Sequence, residues 1–414
     1  MRATTLLSRL LCLKKTRVCS FQFRPSGLEV DVAPTTRVPR CSGCMCRVPK
    51  VHDGRPRSWR HLDMAGMMLT LRYRLRRVDC PRCGVVVELV PWAETGSVFT
   101  REFEEMTAYF AQRTDRTTVS SLLRVAWVTV GNVVARVVAR LGPADRLNGL
   151  THIGVDELSY RRHHEYVTVV VDHLSAAVVW VHPGKNADTL KLFFKELGTE
   201  RVAKLEAVTI DMSGAYIKAV TEASPQAQLI FDRFHVQRLA HEALDKVRRE
   251  QVRELKGTDE GRALKKTRVA LQKNEWNLSR LEHDKISEIQ RVNRPLYRGY
   301  LLKAGLVAIL DRRQVHVARR KLEEWISWAA RSRLAPFVKL ARTIRKHIEG
   351  ILAYVSSRMN NGRSEGLNGK VRTITRRAYG FHNANSLIGL IFLCCSGLTL
   401  VPVHKYPSVH PRGL

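Results

Sequence analysis

Two cysteine pairs, Cys41-Ser-Gly-Cys44 and Cys80-Pro-Arg-Cys83, constrain this chain more than any other feature of its sequence. Each pair offers two thiolates from one tight turn, and together the four predict a tetrahedral structural Zn2+ site that pins two distant segments to one point. The chain holds nine cysteines, an odd number, and the spacing suggests metal in a reducing cytosol before it suggests disulfides. Cys46, His52 and His61 are alternative ligands by type, whereas Cys12, Cys19, Cys394 and Cys395 lack partner spacing. Between the pairs, Leu69, Leu71, Tyr73 and Leu75 alternate with Thr70, Arg72, Arg74 and Arg76, the period of a strand with one apolar and one basic face. Residues 1–95 therefore read as a short amphipathic element, its apolar patch Leu6, Leu7, Leu10 and Leu11 interrupted by Arg9, followed by a zinc ribbon.

Past Pro91 and Gly96 the period becomes helical, with expected helices over 101–112, 117–124 and 128–141 and a short break at 125–127. Three short helices in that order fit a helix-turn-helix over 96–149, whose last helix would enter the major groove of DNA and carry Arg136 and Arg140 as phosphate contacts. An ordinary helical bundle has the same pattern.

Composition enters here. Lys and Arg number 70 against 38 Asp and Glu, a formal charge of +32, which points to a polyanionic partner. With 44% hydrophobic residues the charge sits on folded domains and not on a disordered tail. It is uneven: 151–235 is net −2, while the segments on either side are basic, net +14 over 236–345. An acidic island in a phosphate-binding surface suits divalent-cation chemistry on nucleic acid, although an α/β core with few surface cations gives the same count. No run of 18 apolar residues occurs, so no membrane span is expected.

The acidic block has the texture of strands and helices. β-rich runs at 152–158, 165–172 and 176–182 are followed by a helix over 187–197, a strand over 205–210, a helix from Ser213, a strand over 228–231 and a helix from Phe234. That order is expected of a ribonuclease-H-like core, in which the first and fourth strands are neighbours and would bring Asp156 and Asp211 together. Asp211 is also explicable as a turn or cap before Ser213. Asp156, inside the apolar run Ile153-Gly-Val155, needs a cation or a charged partner if it is buried. A third carboxylate must come later, where 346–414 contains two acidic residues, Glu349 and Glu365. A helix from about Arg363 past Lys370 would put Glu365, Asn368 and Arg372 on one side, a carboxylate among phosphate-binding cations. The intervening 241–345, with Trp276, Trp325 and Trp328 among Lys and Arg, reads as an all-α basic insertion in contact with DNA ends or a partner protomer.

These segments resemble successive motifs of the bacterial insertion-sequence transposases of the ISL-three family: GVDE at Asp156, TIDMSGAY at Asp211, FDRFHV at 231–236 and SSRMNNGRSEGLNGKVRTITRRAYGF around Glu365. LLSRLLCLKKTRV, CSGC, RRVDCPRCG and residues 97–142 are similar to that family's zinc-binding and helix-turn-helix N-terminus. The resemblance implies a DDE triad of Asp156, Asp211 and Glu365, with Asp232 and His235 in support. It also implies a cytoplasmic, nucleoid-associated bacterial enzyme acting as a dimer or larger on double-stranded DNA. The expected fold is multidomain α/β: ribbon (1–95), helix-turn-helix (96–149), ribonuclease-H-like core (150–240), insertion (241–345) and a second core part (346–414).

The expected chemistry is Mg2+- or Mn2+-dependent phosphoryl transfer at the triad, with Arg363, Lys370, Arg372, Arg376 and Arg377 along the DNA backbone and the N-terminal domains on the terminal inverted repeats. A DNA-binding regulator without catalysis, and a ribonuclease or junction resolvase on the same core, are competing readings of the same residues.

Overall fold

The computed structural model describes residues 2–161, 165–359, 362–377 and 384–402, which divide into two compact units. The first contains the chain up to Gly142 and Asn385–Cys394; the second contains Pro143–Ala384.

In the first unit, α1 (Ala3–Leu11) buries Leu7 and Leu11 and exposes Leu6 and Leu10. Five strands follow: β1 (Thr16–Arg24), β2 (Gly27–Pro34), β3 (Val51–Met64), β4 (Met67–Cys80) and β5 (Gly84–Val87), in the order β1-β2-β4-β3 with β5 paired to β4. The alternation in β4 holds, since Leu69, Leu71 and Leu75 are buried while Arg72 and Arg74 face solvent. Trp59 and Trp92 meet edge to face with centroids 5.5 Å apart in the core beneath it. β1, β2, β3 and β5 were not anticipated. β3 carries Gly54 and Pro56, which argue against a central strand, and it lies at the sheet edge, where a residue without an N–H is tolerated.

Helices α2 (Arg101–Arg113), α3 (Arg116–Leu123) and α4 (Trp127–Leu141) match the expected trio within a residue or two. Thr100 and Asp115 cap α2 and α3, accepting from the Phe103 and Thr118 backbone N–H groups at 3.3 and 2.9 Å. Arg124 ends α3 in the left-handed region, and α4 leaves at 100° to it, the angle of a helix-turn-helix.

The second unit opens on β6 (His152–Arg161), β7 (Glu165–Asp172) and β8 (Ala177–Pro183), an antiparallel meander. α5 (Ala187–Leu197) and α6 (Thr199–Val202) lead to β9 (Ala207–Ile210), α7 (Gly214–Ala223), β10 (Gln228–Phe231) and α8 (Arg233–Glu254). The sheet order is β10-β9-β6-β7-β8, with β9 parallel to both β6 and β10. The first and fourth strands of this core are thus neighbours, as its element order predicts.

The basic stretch is helical: α9 (Asp259–Ala263), α10 (Arg268–Gln272), α11 (Arg280–Val292), α12 (Arg294–Leu310), α13 (Val315–Ala330) and α14 (Ala335–Lys346). Its core is continuous with that of the sheet. Of the expected tryptophans, Trp325 is buried and donates to the Leu302 carbonyl at 2.8 Å, whereas Trp276 is 72% exposed. α15 (Ile348–Ser357) then crosses β10 through Gly350, where a Cβ would lie 2.4 Å from the Phe231 ring, so only glycine permits this approach. α16 (Gly362–Arg377) packs against β6. α17 (Ala384–Cys395) belongs mostly to the first unit: Gln112 Nε2 donates to the Leu393 carbonyl at 2.7 Å and Arg116 to that of Ser386 at 2.9 Å. The expected segment 346–414 is thereby divided between the two units.

Candidate functional site

The four cysteines of the two pairs converge. Cys41 sits at the end of an isolated bridge to Glu88 and Cys80 ends β4, and the Sγ atoms of Cys41, Cys44, Cys80 and Cys83 all lie within 4.8 Å of one another. Metal bonds of about 2.3 Å would set tetrahedral sulfurs about 3.8 Å apart, so the cluster has the dimensions of a structural zinc site. Gly43 lets the first turn close, since a Cβ there would stand 3.0 Å from the Cys83 sulfur. His61 is not a ligand: it is buried, and its Nδ1 lies 2.8 Å from Thr100 Oγ1. His52 is exposed on β3. Among the described residues this is the one group of three or more acidic, cysteine or histidine side chains arranged to hold an ion.

In the second unit, strand register gathers carboxylates. β6 and β9 pair at His152↔Ala207, Ile153↔Val208 and Gly154↔Thr209, and Asp156 and Asp211 each follow two residues after the last of these pairs. β10 pairs with β9 at Phe231↔Ile210, and the Asp232 N–H donates to the Ile210 carbonyl at 3.2 Å, so Asp232 follows in the next strand. Adjacent strands are about 4.8 Å apart; Asp156 lies within β6, while Asp211 and Asp232 directly follow β9 and β10. Asp211 Oδ1 accepts from the Ser213 N–H at 3.0 Å and Asp156 Oδ1 from the Glu157 N–H at 2.7 Å. Asp232 is 2% exposed, with its Oδ2 3.8 Å from His235 Nε2.

A fourth carboxylate belongs to this group and was quoted in the GVDE motif without a role. Burial, above all, pushes the Glu157 carboxyl above the usual range; the Tyr216 hydroxyl and Lys185 oppose this, while Asp211 and Asp156 add to it. Tyr216 is fully buried on α7, with its hydroxyl 2.9 Å from Thr168 Oγ1, which donates to the Gly184 carbonyl. The chain Glu157, Tyr216, Thr168, Gly184 ties β6, β7 and α7 together beside the aspartates. A tyrosine five residues after Asp211 was the available signal, but helical position alone gives it no role.

The helix expected near Glu365 is α16. Its stripe Leu367, Val371 and Ile374 is buried, and Lys370, Arg372 and Arg376 are exposed, with Arg377 half-exposed. The helix backbone includes Arg363, Glu365 and Asn368, whose side chains lie outside the described residues.

Arg136 and Arg140 are not displayed on the outer face of α4. Arg136 Nε and Nη2 both lie 2.8 Å from Oε1 of Glu104, a carboxylate with no exposure that also accepts from Ser97 Oγ at 2.7 Å. Arg140 pairs with Glu105 at 2.7 Å and lies 3.6 Å from Glu94. These pairs hold α4 to α2 and to the loop before it. The exposed positions of α4 are Val128, Asn132, Ala135, Ala139 and Leu141.

A four-cysteine cluster, a helix-turn-helix and a mixed α/β core in this order are the architecture of a transposase with an N-terminal zinc ribbon. Family comparisons agree domain by domain. The zinc finger of the transposases of IS204, IS1001, IS1096 and IS1165 matches residues 37–83, the helix-turn-helix domain of transposase family ISL3 matches 88–138, and the transposase domain of that family matches 153–391. The chain belongs to the ISL3 transposase family. It is 37% identical over 378 residues, 85% of each chain, to the transposase for insertion sequence element IS1557 of Mycobacterium tuberculosis. To that for IS1001 of Bordetella parapertussis it is 29% identical over 360 residues, 86% of this chain and 88% of the relative. Among the described residues no single helix is long and apolar enough to cross a membrane.

Proposed function

We propose that this transposase binds the terminal inverted repeats of its insertion sequence through the zinc ribbon and helix-turn-helix, and cuts and joins DNA strands at Asp156, Asp211 and Glu365. The observation that supports this reading is the parallel pairing of β6 with β9 up to Gly154↔Thr209, two residues before Asp156 and Asp211. Carboxylates are the hard oxygen donors that suit divalent cations, Mg2+ or Mn2+, and Asp211 and Asp156 are near enough to Glu157 that both help to hold it toward its neutral form. When bound, two cations would lower the pKa of the attacking water or 3′-hydroxyl and offset charge on the leaving oxygen.

The protein's own part is positioning. Asp156 stands within β6 and Asp211 directly follows β9, its parallel neighbour; Glu365 is carried by α16, which packs on β6. Asp232 and His235 support these residues from the start of α8. The Glu157–Tyr216–Thr168 chain keeps β6, β7 and α7 from shifting against one another. Arg363, Lys370, Arg372, Arg376 and Arg377 on α16 follow the phosphates near the cut. α4 presents Asn132 and the small side chains around it to the major groove, with Arg136 and Arg140 bracing it from behind. Bringing two element ends together calls for at least a dimer.

The test is cleavage of labelled end DNA by the full chain with Asp211→Asn. The variant should fold and bind the end but lose Mg2+-dependent cutting by several orders of magnitude. Undiminished cutting sinks the assignment. Equal cutting of a four-way junction or an RNA–DNA hybrid lacking element ends favours the resolvase or ribonuclease reading instead.

A further inference from the structure

We infer that the groove between α8 and α10 is a phosphodiester site that holds a stretch of DNA backbone; this rests on the reading of the chain as a DNA-processing enzyme. The groove encloses about 410 Å3. One wall is a single face of α8, on which Arg238, Glu242, Asp245 and Arg249 recur at helical spacing; Arg268 and Gln272 of α10 form the other.

Its charge is unbalanced at two levels. Asp245, 7% exposed at the base, is the shared partner of three guanidiniums: Arg248 at 2.8 Å, Arg249 at 2.5 Å and Arg268 at 3.8 Å. One carboxylate cannot neutralise three cations, and Arg249 and Arg268 keep 68% and 62% of their side-chain surface in solvent. Lys246, in the same lining, has no carboxylate at ion-pair distance among the described residues. Arg238 reaches Glu242 only at 3.8 Å.

Beneath this lies Lys303 of α12, a fully buried lysine. Its Nζ donates to the Lys273 carbonyl at 2.6 Å and stands 4.7 Å from the Tyr300 ring centroid, again without an acidic partner among the described residues. Burial lowers its pKa to about 8, and its charge joins burial in holding the groove-lining His241 neutral. An uncompensated cation below a rim of exposed guanidiniums is a field awaiting an anion.

Shape selects the kind of anion. From Arg238 to Arg249 the helix rises about 16 Å, the axial length of about five nucleotides of one strand at 3.4 Å each. Guanidinium forks at the two ends of that length fit phosphates about five nucleotides apart and read no base, so the site positions DNA without specifying its sequence.

The test uses the full chain and a mixed-sequence 30-base-pair duplex without element ends. Arg249→Gln with Arg268→Gln leaves Asp245 paired to Arg248, so the fold should persist, as a thermal melt would register. Removing two phosphate contacts should flatten the plot of log affinity against log salt by about 1.8, so that between 50 and 200 mM salt wild type loses about 12-fold more affinity than the variant. Independently of any variant, the duplex should shield Lys246 from acetylation by an N-hydroxysuccinimide ester, while Lys321 on α13, paired with Glu324, stays reactive. Wild-type protein that binds the duplex while Lys246 stays reactive, or a variant with an unchanged slope, overturns the groove and leaves the enzyme reading standing. Shielding by inorganic phosphate at concentrations where the duplex gives none also overturns it, in favour of a free-phosphate site. Wild-type protein that binds no duplex at all overturns both.

Discussion

Arg136→Gln separates a bracing role from a DNA-contacting one. Glu104 has no exposed surface, and two nitrogens of Arg136 stand 2.8 Å from one of its oxygens. After the substitution that carboxylate keeps the Ser97 hydroxyl and a guanidinium nitrogen of Arg140 at 3.9 Å, too long for a hydrogen bond. Removing one member of a buried pair costs about 3–5 kcal/mol, because the remaining charge stays desolvated. Arg136 retains 36% of its side-chain surface in water, and Arg140 still contributes a field, so the lower end, about 3 kcal/mol, applies. In a unit of this size each kcal/mol lowers the melting temperature by about 2–4 °C, which gives a fall of about 6–12 °C. Circular dichroism at 222 nm would follow the transition, and Glu104→Gln combined with Arg136→Gln should recover much of the loss by removing the stranded charge. Gel shifts well below the transition should show end-DNA affinity within about twofold of wild type. A variant that melts like wild type yet binds DNA tenfold more weakly would refute this reasoning and return Arg136 to the phosphates.

Two further outcomes follow from the first unit. The purified chain should carry one zinc ion, measured by plasma mass spectrometry, and Cys44→Ser should lose it along with the cooperative unfolding of the ribbon, since structural zinc is worth about 10–16 kcal/mol in small finger peptides; full zinc retention by that variant would refute the four-thiolate site. His61 is held neutral, its pKa lowered to about 4 by burial first and by Arg60 second. The unfolded chain takes up this proton near pH 6.5 and the folded chain does not, so stability present above pH 6.5 is lost as pH falls towards 4, by up to about 3 kcal/mol. His61→Gln should flatten that part of the stability profile, and an unchanged slope between pH 6.5 and 4 would contradict it.

Much of this architecture was legible because its signals are local. Cys-x-x-Cys turns, the alternation at Leu69–Arg76 and the helical periods at 101–141 each need only a window of ten to fifteen residues. The meander and the crossover helices were legible for the same reason, and the neighbouring of β6 and β9 followed from their order. What escaped depends on partners far away in sequence. β3 violates strand propensity at Gly54 and Pro56, and β4 alone makes it a strand, over pairs from Val51↔Val78 to Met64↔Met67. The return of α17 to the first unit rests on bonds such as Gln112 to Leu393, and no period in 384–395 announces it. Arg136 and Arg140 show the limit most plainly, because helical spacing reports a shared face but not whether an acid from α2 already occupies it.

That limit changes how the +32 charge is to be understood. A cation counts toward DNA binding only if folding has left it without an internal carboxylate, and several arginines here fail that condition: Arg76 clasps the buried Glu88, Arg77 pairs with Asp53, and Arg72 with Glu29. In the helix-turn-helix the same holds for Arg136 and Arg140. Cations in excess of nearby acids are instead found on α16, where Lys370, Arg372 and Arg376 are exposed, and along α8 and α10, where Asp245 is outnumbered. On α16 these cations share a helix with Glu365, on the element that packs against β6; on α8 they begin a few residues after Asp232. One cationic surface therefore follows Asp232 along α8, and the other packs against the strand that carries Asp156. An enzyme that cuts a phosphodiester needs that placement, because the strand must be held on rigid elements that also fix the carboxylates. A regulator would need free cations on the helix-turn-helix, where Arg101, Arg124, Arg136 and Arg140 already have carboxylate partners.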